Sequence, residues 1–166
     1  MYRLVLAVDF DGVIANSNKE CFLIGYLAYK KAHPNTKFLG TDKYNLGNFK
    51  VSKELISLRP YVKVGEDYLI IFYILDHKIK IKNQRNFDDV RSKLNYKLRM
   101  FHNNFYSARK ELMKNYTAWL KLIEPFGNII QQIRRLSNHF TIFIVTTRDN
   151  KSTSALLKKF RIKYEE

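Results

Sequence analysis

An uninterrupted apolar run, Leu4-Val5-Leu6-Ala7-Val8, leads straight into Asp9-Phe10-Asp11-Gly12, and this junction restricts the fold more than any other feature of the chain. A short continuous apolar stretch reads as a strand buried on both faces of a parallel sheet. In extended backbone, residues i and i+2 point to the same side, so Asp9 and Asp11 can face one pocket while Phe10 turns away. Gly12 permits a sharp turn without a Cβ penalty. Two carboxylates held together at a strand end repel each other unless a cation lies between them or one keeps a proton. The first solution suits a hard ion such as Mg²⁺, which prefers oxygen ligands. The second suits a group that protonates a leaving atom. The plain structural alternative is a polar turn closing a strand, because Asp-Gly is a common turn former. The buried-type strand before the acids and Val13-Ile14 after them count against that alternative.

The rest of the chain supplies the context. Asn16 or Ser17 can cap a helix running to about His33, with Pro34 just beyond it. Residues 35–50 are polar and glycine-bearing and read as loop. Val51 to Leu58 reads as helix, and the apolar run Tyr68 to Leu75, entered through Glu66-Asp67, favours a buried helix. Lys78 to Lys82 reads as an extended connector. Phe87, Val90, Leu94, Leu98, Phe101 and Phe105 recur at steps of three or four, the pattern of one long amphipathic helix. More helix is expected through Leu112 and Met113 towards Trp119-Leu120. After Glu124-Pro125-Phe126-Gly127, a helix should bury Ile129, Ile130, Ile133 and Leu136. Phe140 to Val145 is a second buried-strand candidate ending at Thr146-Thr147-Arg148-Asp149. A last helix spans about Lys151 to Phe160, and Arg161 to Tyr164 leads towards another strand. Two such strands, each delivering polar residues at its carboxyl end, point to a parallel α/β sheet, whose ligands bind at that edge. The mostly helical middle of the chain is then an insertion above it.

Composition narrows the class. Of 166 residues, 46% are hydrophobic, enough for a folded core. There are 30 Lys and Arg against 15 Asp and Glu, a formal net charge of +15, and such a field concentrates anions of any kind. The cations are spread along the chain, so a solvated basic surface is the simpler reading. Cys21 is the single cysteine, which excludes an intrachain disulfide and a Cys-based zinc site. His33, His77, His102 and His139 form no ligand pair. No apolar stretch approaches the roughly 20 residues of a membrane span, and the N-terminal apolar run meets an acidic pair too soon for a signal peptide. A cytoplasmic setting fits these features.

Val8-Asp9-Phe10-Asp11-Gly12-Val13-Ile14 resembles the first motif of the haloacid dehalogenase superfamily, a hydrophobic strand followed by DxDG and an apolar pair. Phe143-Ile144-Val145-Thr146-Thr147-Arg148 resembles the second motif, with Thr146 at the matching position. The resemblance implies a Rossmann-type parallel core, residues 1–17 and 123–166, interrupted by a helical C1-type cap over 18–122. It implies phosphoryl transfer from a small phosphorylated molecule to Asp9, which becomes an aspartyl-phosphate. Asp11 is implied to protonate the leaving oxygen and later to activate water. Mg²⁺ is implied on the Asp9 carboxylate and the Asp11 backbone carbonyl. Thr146, with the backbone of Thr147, is implied to hold phosphoryl oxygens, and Phe10 and Arg148 are expected to bind substrate at the same site. Arg59, Lys63, Arg109 and Lys110 are cap cations placed to meet an anionic substrate.

The family's third motif, a lysine, and fourth motif, an acidic pair, follow at least one further strand and helix. Glu166 is reached before either, and Lys151, Lys158 and Lys159 do not match the third. A truncated core of two or three strands with exposed edges is therefore expected, and a homo-oligomer is one way to complete it. Two other functions remain open on the residues: a catalytically deficient member that only binds, and a basic protein holding single-stranded nucleic acid on stacked aromatics. The aromatics fall mostly at core-type spacing, which disfavours the latter.

Overall fold

A computed structural model of the chain describes residues 4–36 and 49–165. In chain order the elements are β1 (Leu4–Val8), β2 (Ala15–Asn16), α1 (Asn18–Ala32), α2 (Lys53–Leu58), α3 (Asp67–Asp76), α4 (Gln84–Lys93), α5 (Leu98–Leu112), α6 (Tyr116–Leu120), β3 (Glu124–Pro125), α7 (Gly127–Leu136), β4 (Phe140–Ile144) and α8 (Asn150–Phe160). Single 3₁₀ turns lie at Arg59–Tyr61 and Asn95–Lys97. Most of the loop expected over 35–50 lies outside the described residues. The fold is mixed α/β, mostly helical, with a small parallel sheet. It divides into two compact units, one of Met1–Ser17 with Ile123–Glu166 and one of Asn18–Leu122. No helix among the described residues is long and apolar enough to cross a membrane.

In the first unit, β1 and β4 pair in parallel, in register from Leu4 opposite Phe140 to Val8 opposite Ile144. Glu165 bridges Phe143 on the far side of β4, also in parallel, so the segment after α8 does approach as a further strand. β2 and β3 form a short antiparallel pair, Ala15 with Pro125 and Asn16 with Glu124. The core of this unit is made by Phe10, Ile14, Ile130, Ile133, Ile142, Leu156, Leu157 and Ile162, all buried. β1 departs from the sequence reading. It is not buried on both faces: Leu4 is 70% and Val5 62% exposed. A strand is covered on both faces only where helices and flanking strands surround it, and among the described residues β1 pairs with β4 alone. The apolar run reports what β1 could bury, not what it meets here.

The second unit is built on α1. Phe22 meets Tyr68 edge-on, Tyr26 and Tyr29 meet Phe72, and the Tyr29 hydroxyl donates to Asp76 at 2.8 Å. α3 therefore runs alongside α1 in the same direction. Gly25 makes the close approach possible, since a Cβ there would lie 2.8 Å from the Cβ of Tyr68. α5 runs the other way, with Phe101 near its start against His33 and Arg109 near its end beside Glu20. The expected buried helix over Tyr68 to Leu75 is α3, whose residues from Asp67 to Phe72 are all buried.

The single long helix expected from Phe87 to Phe105 is two helices. α4 ends at Lys93, a 3₁₀ turn follows at Asn95–Lys97, and α5 begins at Leu98. Phe87, Val90, Leu94, Phe101 and Phe105 are nonetheless buried. Spacing tells which residues face the core, and a tight turn that preserves the phase leaves that record unchanged. A second break falls between α5 and α6, where Asn115 caps the new helix by accepting from the Ala118 N–H at 3.2 Å.

Glu20, fully buried, organises the start of α1. Its Oε1 accepts from Arg109 Nε at 3.1 Å and from Trp119 Nε1 at 2.9 Å, and its Oε2 from Arg109 Nη2 at 3.3 Å and Cys21 Sγ at 3.3 Å. Arg109 is itself 3% exposed and lies over the Phe105 and Tyr106 rings. The sequence reading placed Arg109 among the cations meeting a substrate; the fold commits it to Glu20 instead. Arg59 and Lys63 are likewise engaged, with Asn18 and Asp88. Removing one member of a buried ion pair leaves the other charge uncompensated. Glu20→Ala should therefore cost about 3–5 kcal/mol, read from urea unfolding followed by the emission of Trp119, the only tryptophan.

His33 stacks on Tyr29, with ring centroids 4.3 Å apart. Burial and the neighbouring Lys97 hold its imidazole below the usual 6.5. Below that value the unfolded chain binds a proton that the folded chain resists, so stability falls as pH drops through and below about 6.5. His33→Gln should flatten this acid-side loss. Urea midpoints of both proteins at about pH 7.5 and 5.5, on either side of the ordinary histidine value, check the difference.

Candidate active site

The parallel register of β1 and β4 fixes where the polar residues go. Val145 N–H donates to the Val8 carbonyl at 2.9 Å, so the chain leaves both strands side by side at their carboxyl ends. Asp9 to Gly12 and Thr146 to Arg148 are thereby delivered to one edge, although more than a hundred residues separate them. After β1 the backbone closes a tight turn. The Gly12 N–H donates to the Ala15 carbonyl at 2.8 Å and the Ile14 N–H to the Phe10 carbonyl at 2.9 Å. Gly12 has φ +86°, a conformation that side chains with a Cβ rarely adopt.

Asp9 is exposed, and its Oδ1 accepts from the Phe10 N–H at 2.6 Å. Phe10 is fully buried and stacks on Phe160, with centroids 6.4 Å apart and planes 14° apart. Asp11 is half-buried. Its Oδ1 accepts from Ser17 Oγ at 2.5 Å and from Arg148 Nη1 at 3.0 Å. The Arg148 guanidinium lies over the Phe10 ring at 5.5 Å, and its side chain is shut off from solvent. Thr146 is half-buried, with its Oγ1 accepting from the Arg148 N–H at 3.2 Å, and Thr147 is exposed. Asp149 caps α8 by accepting from the Ser152 N–H at 2.9 Å.

Asp9, Phe10, Asp11, Thr146, Thr147 and Arg148 thus lie at this edge, whereas Arg59, Lys63, Arg109 and Lys110 belong to the other unit. Two that matter were not singled out for it. Ser17 was read only as a possible helix cap, yet its hydroxyl turns back to Asp11. Phe160 closes the aromatic layer under the turn. Ser17 lies six residues after Asp11, and nothing in that spacing marks the contact before the turn is known.

The edge carries an exposed carboxylate, a second carboxylate tied to a cation, two hydroxyls and a sharp turn. A carboxylate nucleophile, a proton carrier and donors to an anion can be built from these groups. Oxygens are also on offer to a hard cation. Among the described residues, one Asp9 carboxylate oxygen and the Asp11 carbonyl accept no hydrogen bond. An all-oxygen set of this kind fits Mg²⁺, which keeps several of its own waters. No family model matches the chain, and no curated protein or solved structure matches it either.

Gly12→Ala tests the turn. A Cβ there meets no atom within 4 Å, so the cost is purely conformational, about 1–2 kcal/mol. Thermal unfolding should show that loss. An unchanged midpoint would mean that the positive φ is not held in solution.

Proposed function

We propose that the chain is a Mg²⁺-dependent hydrolase of the haloacid dehalogenase type, acting on a phosphomonoester of a small molecule through Asp9. The observation that carries this reading is the meeting of the two motif-like segments at one sheet edge, joined by Arg148 and Asp11 across 137 positions of sequence. A polar turn with no chemistry accounts for the exposure of Asp9 but gives no role to the covered Arg148 side chain that holds Asp11. The first unit would be the family's core and the second its cap.

In this reading Asp9 attacks phosphorus, a bond forms from its carboxylate oxygen, and the bond to the leaving oxygen breaks. Asp11 gives that oxygen its proton. Water then attacks the aspartyl-phosphate while Asp11 takes the water's proton, and inorganic phosphate leaves with Asp9 restored. The Thr146 hydroxyl and the Thr147 backbone hold phosphoryl oxygens. Mg²⁺, on the Asp9 carboxylate and the Asp11 carbonyl, would offset the repulsion between nucleophile and phosphate. The basic surface favours an anionic substrate at the level of encounter.

The test is hydrolysis of an aryl phosphate with and without Mg²⁺, in the wild type and in Asp9→Asn. Turnover should require Mg²⁺ and fall at least about 1,000-fold in the variant, in scale with loss of a covalent nucleophile. Turnover equal in both proteins contradicts Asp9 as nucleophile. No turnover in either assigns the edge to binding alone.

A further inference from the structure

Among the described residues, Glu20, Asp67 and Asp11 each accept a hydrogen bond from an arginine side chain, and Asp11 differs from the other two. Asp67 is fully buried with both oxygens in use: Oδ1 takes Arg91 Nε at 2.9 Å, and Oδ2 takes the N–H groups of Lys63 and Val64 at 2.9 and 3.1 Å. Glu20 is saturated in the same way, with two donors on each oxygen. Both have the arrangement of structural anions, whose lone pairs must all be satisfied inside the fold. Asp11 has two donors, Ser17 Oγ and Arg148 Nη1, and both fall on Oδ1. Oδ2 accepts from nothing among the described residues, and the side chain stays 20% accessible while Arg148 is fully covered.

We propose that Ser17 and Arg148 are positioning residues for Asp11, holding it through Oδ1 so that Oδ2 is the oxygen that gives and takes the proton. The inference rests on the hydrolase reading above and assigns a task to each oxygen. With the proton on Oδ2, Oδ1 is a carbonyl oxygen, which still accepts both bonds. Once the proton has passed to the leaving oxygen, the carboxylate keeps the same two donors. The anchors need not rearrange in either half of the reaction, the condition under which a fixed general acid and base is most effective. Arg148 is itself held, by the Phe10 ring beneath its guanidinium and by its N–H on Thr146 Oγ1. Phe10 rests in turn on Phe160. The residue between the two acids therefore serves the site through its buried face.

The test compares two esters in wild type, Ser17→Ala, Ser17→Thr and Arg148→Lys, all with Mg²⁺. An alkyl phosphate needs its leaving oxygen protonated, whereas nitrophenolate leaves without help. For Ser17→Ala and Arg148→Lys, kcat on the alkyl ester should fall about 10- to 100-fold, the scale of general acid catalysis. For Ser17→Ala the initial burst of nitrophenolate should keep its rate and KM should hold. Ser17→Thr retains the hydroxyl and should restore the alkyl ester rate. A nitrophenolate burst in Ser17→Ala that slows as much as turnover of the alkyl ester, or no loss on either, overturns the positioning role while the hydrolase reading stands. A wild type that turns over neither ester overturns the hydrolase reading, and this inference with it.

Discussion

The parallel pairing of β1 with β4 is the interaction on which the candidate site depends. Neither strand end has chemistry alone: one supplies two carboxylates and a glycine, the other two hydroxyls and an arginine. Register brings them together, because Val8 opposite Ile144 means that both chains leave the sheet at the same level. Antiparallel pairing, or a slip of one residue, would send Arg148 away from Asp11 or turn the carboxylates to the other face. The Phe10 and Phe160 stack then supports the turn from below, so the aromatic between the two acids fixes the segment that carries them. Polar, buried aromatic and polar side chains alternate along three consecutive residues.

The second unit is held by a different device. A buried carboxylate at the start of α1 collects an arginine from α5, the indole of α6 and its own neighbouring thiol. Such a cluster contributes little net stability compared with an apolar core, but it penalises arrangements in which its members do not meet. Here it ties the last helices of the unit to the first, while the aromatic contacts of α1 with α3 make the apolar core. A unit rich in cations thus uses one of them inside.

How much of this could be read from the sequence follows from what each signal measures. Strand positions, the turn at Asp9 to Gly12, the buried α3 and the last helix were legible because apolar runs and breakers act locally. The division of Phe87 to Phe105 into two helices was not, because burial repeats with the same spacing through a 3₁₀ turn. The exposure of Leu4 and Val5 was hidden for a related reason: an apolar strand looks alike whether or not neighbours cover it. That Asp9, Asp11, Thr146 and Arg148 meet at one sheet edge was legible from strand ends and motif likeness. The contacts of Ser17 and Phe160 form only when the turn closes, and the capture of Arg109 by Glu20 joins residues 89 positions apart.

The central claim is that Asp9 becomes covalently phosphorylated, and the most direct measurement traps that state. The chain is mixed with a ³²P-labelled aryl phosphate and Mg²⁺, quenched in acid within one turnover, digested and mapped. The account predicts label on the peptide carrying Asp9, released by mild base as an acyl phosphate is, and absent from Asp9→Asn. Turnover without label on that peptide, or stable label on a serine or threonine, would contradict it.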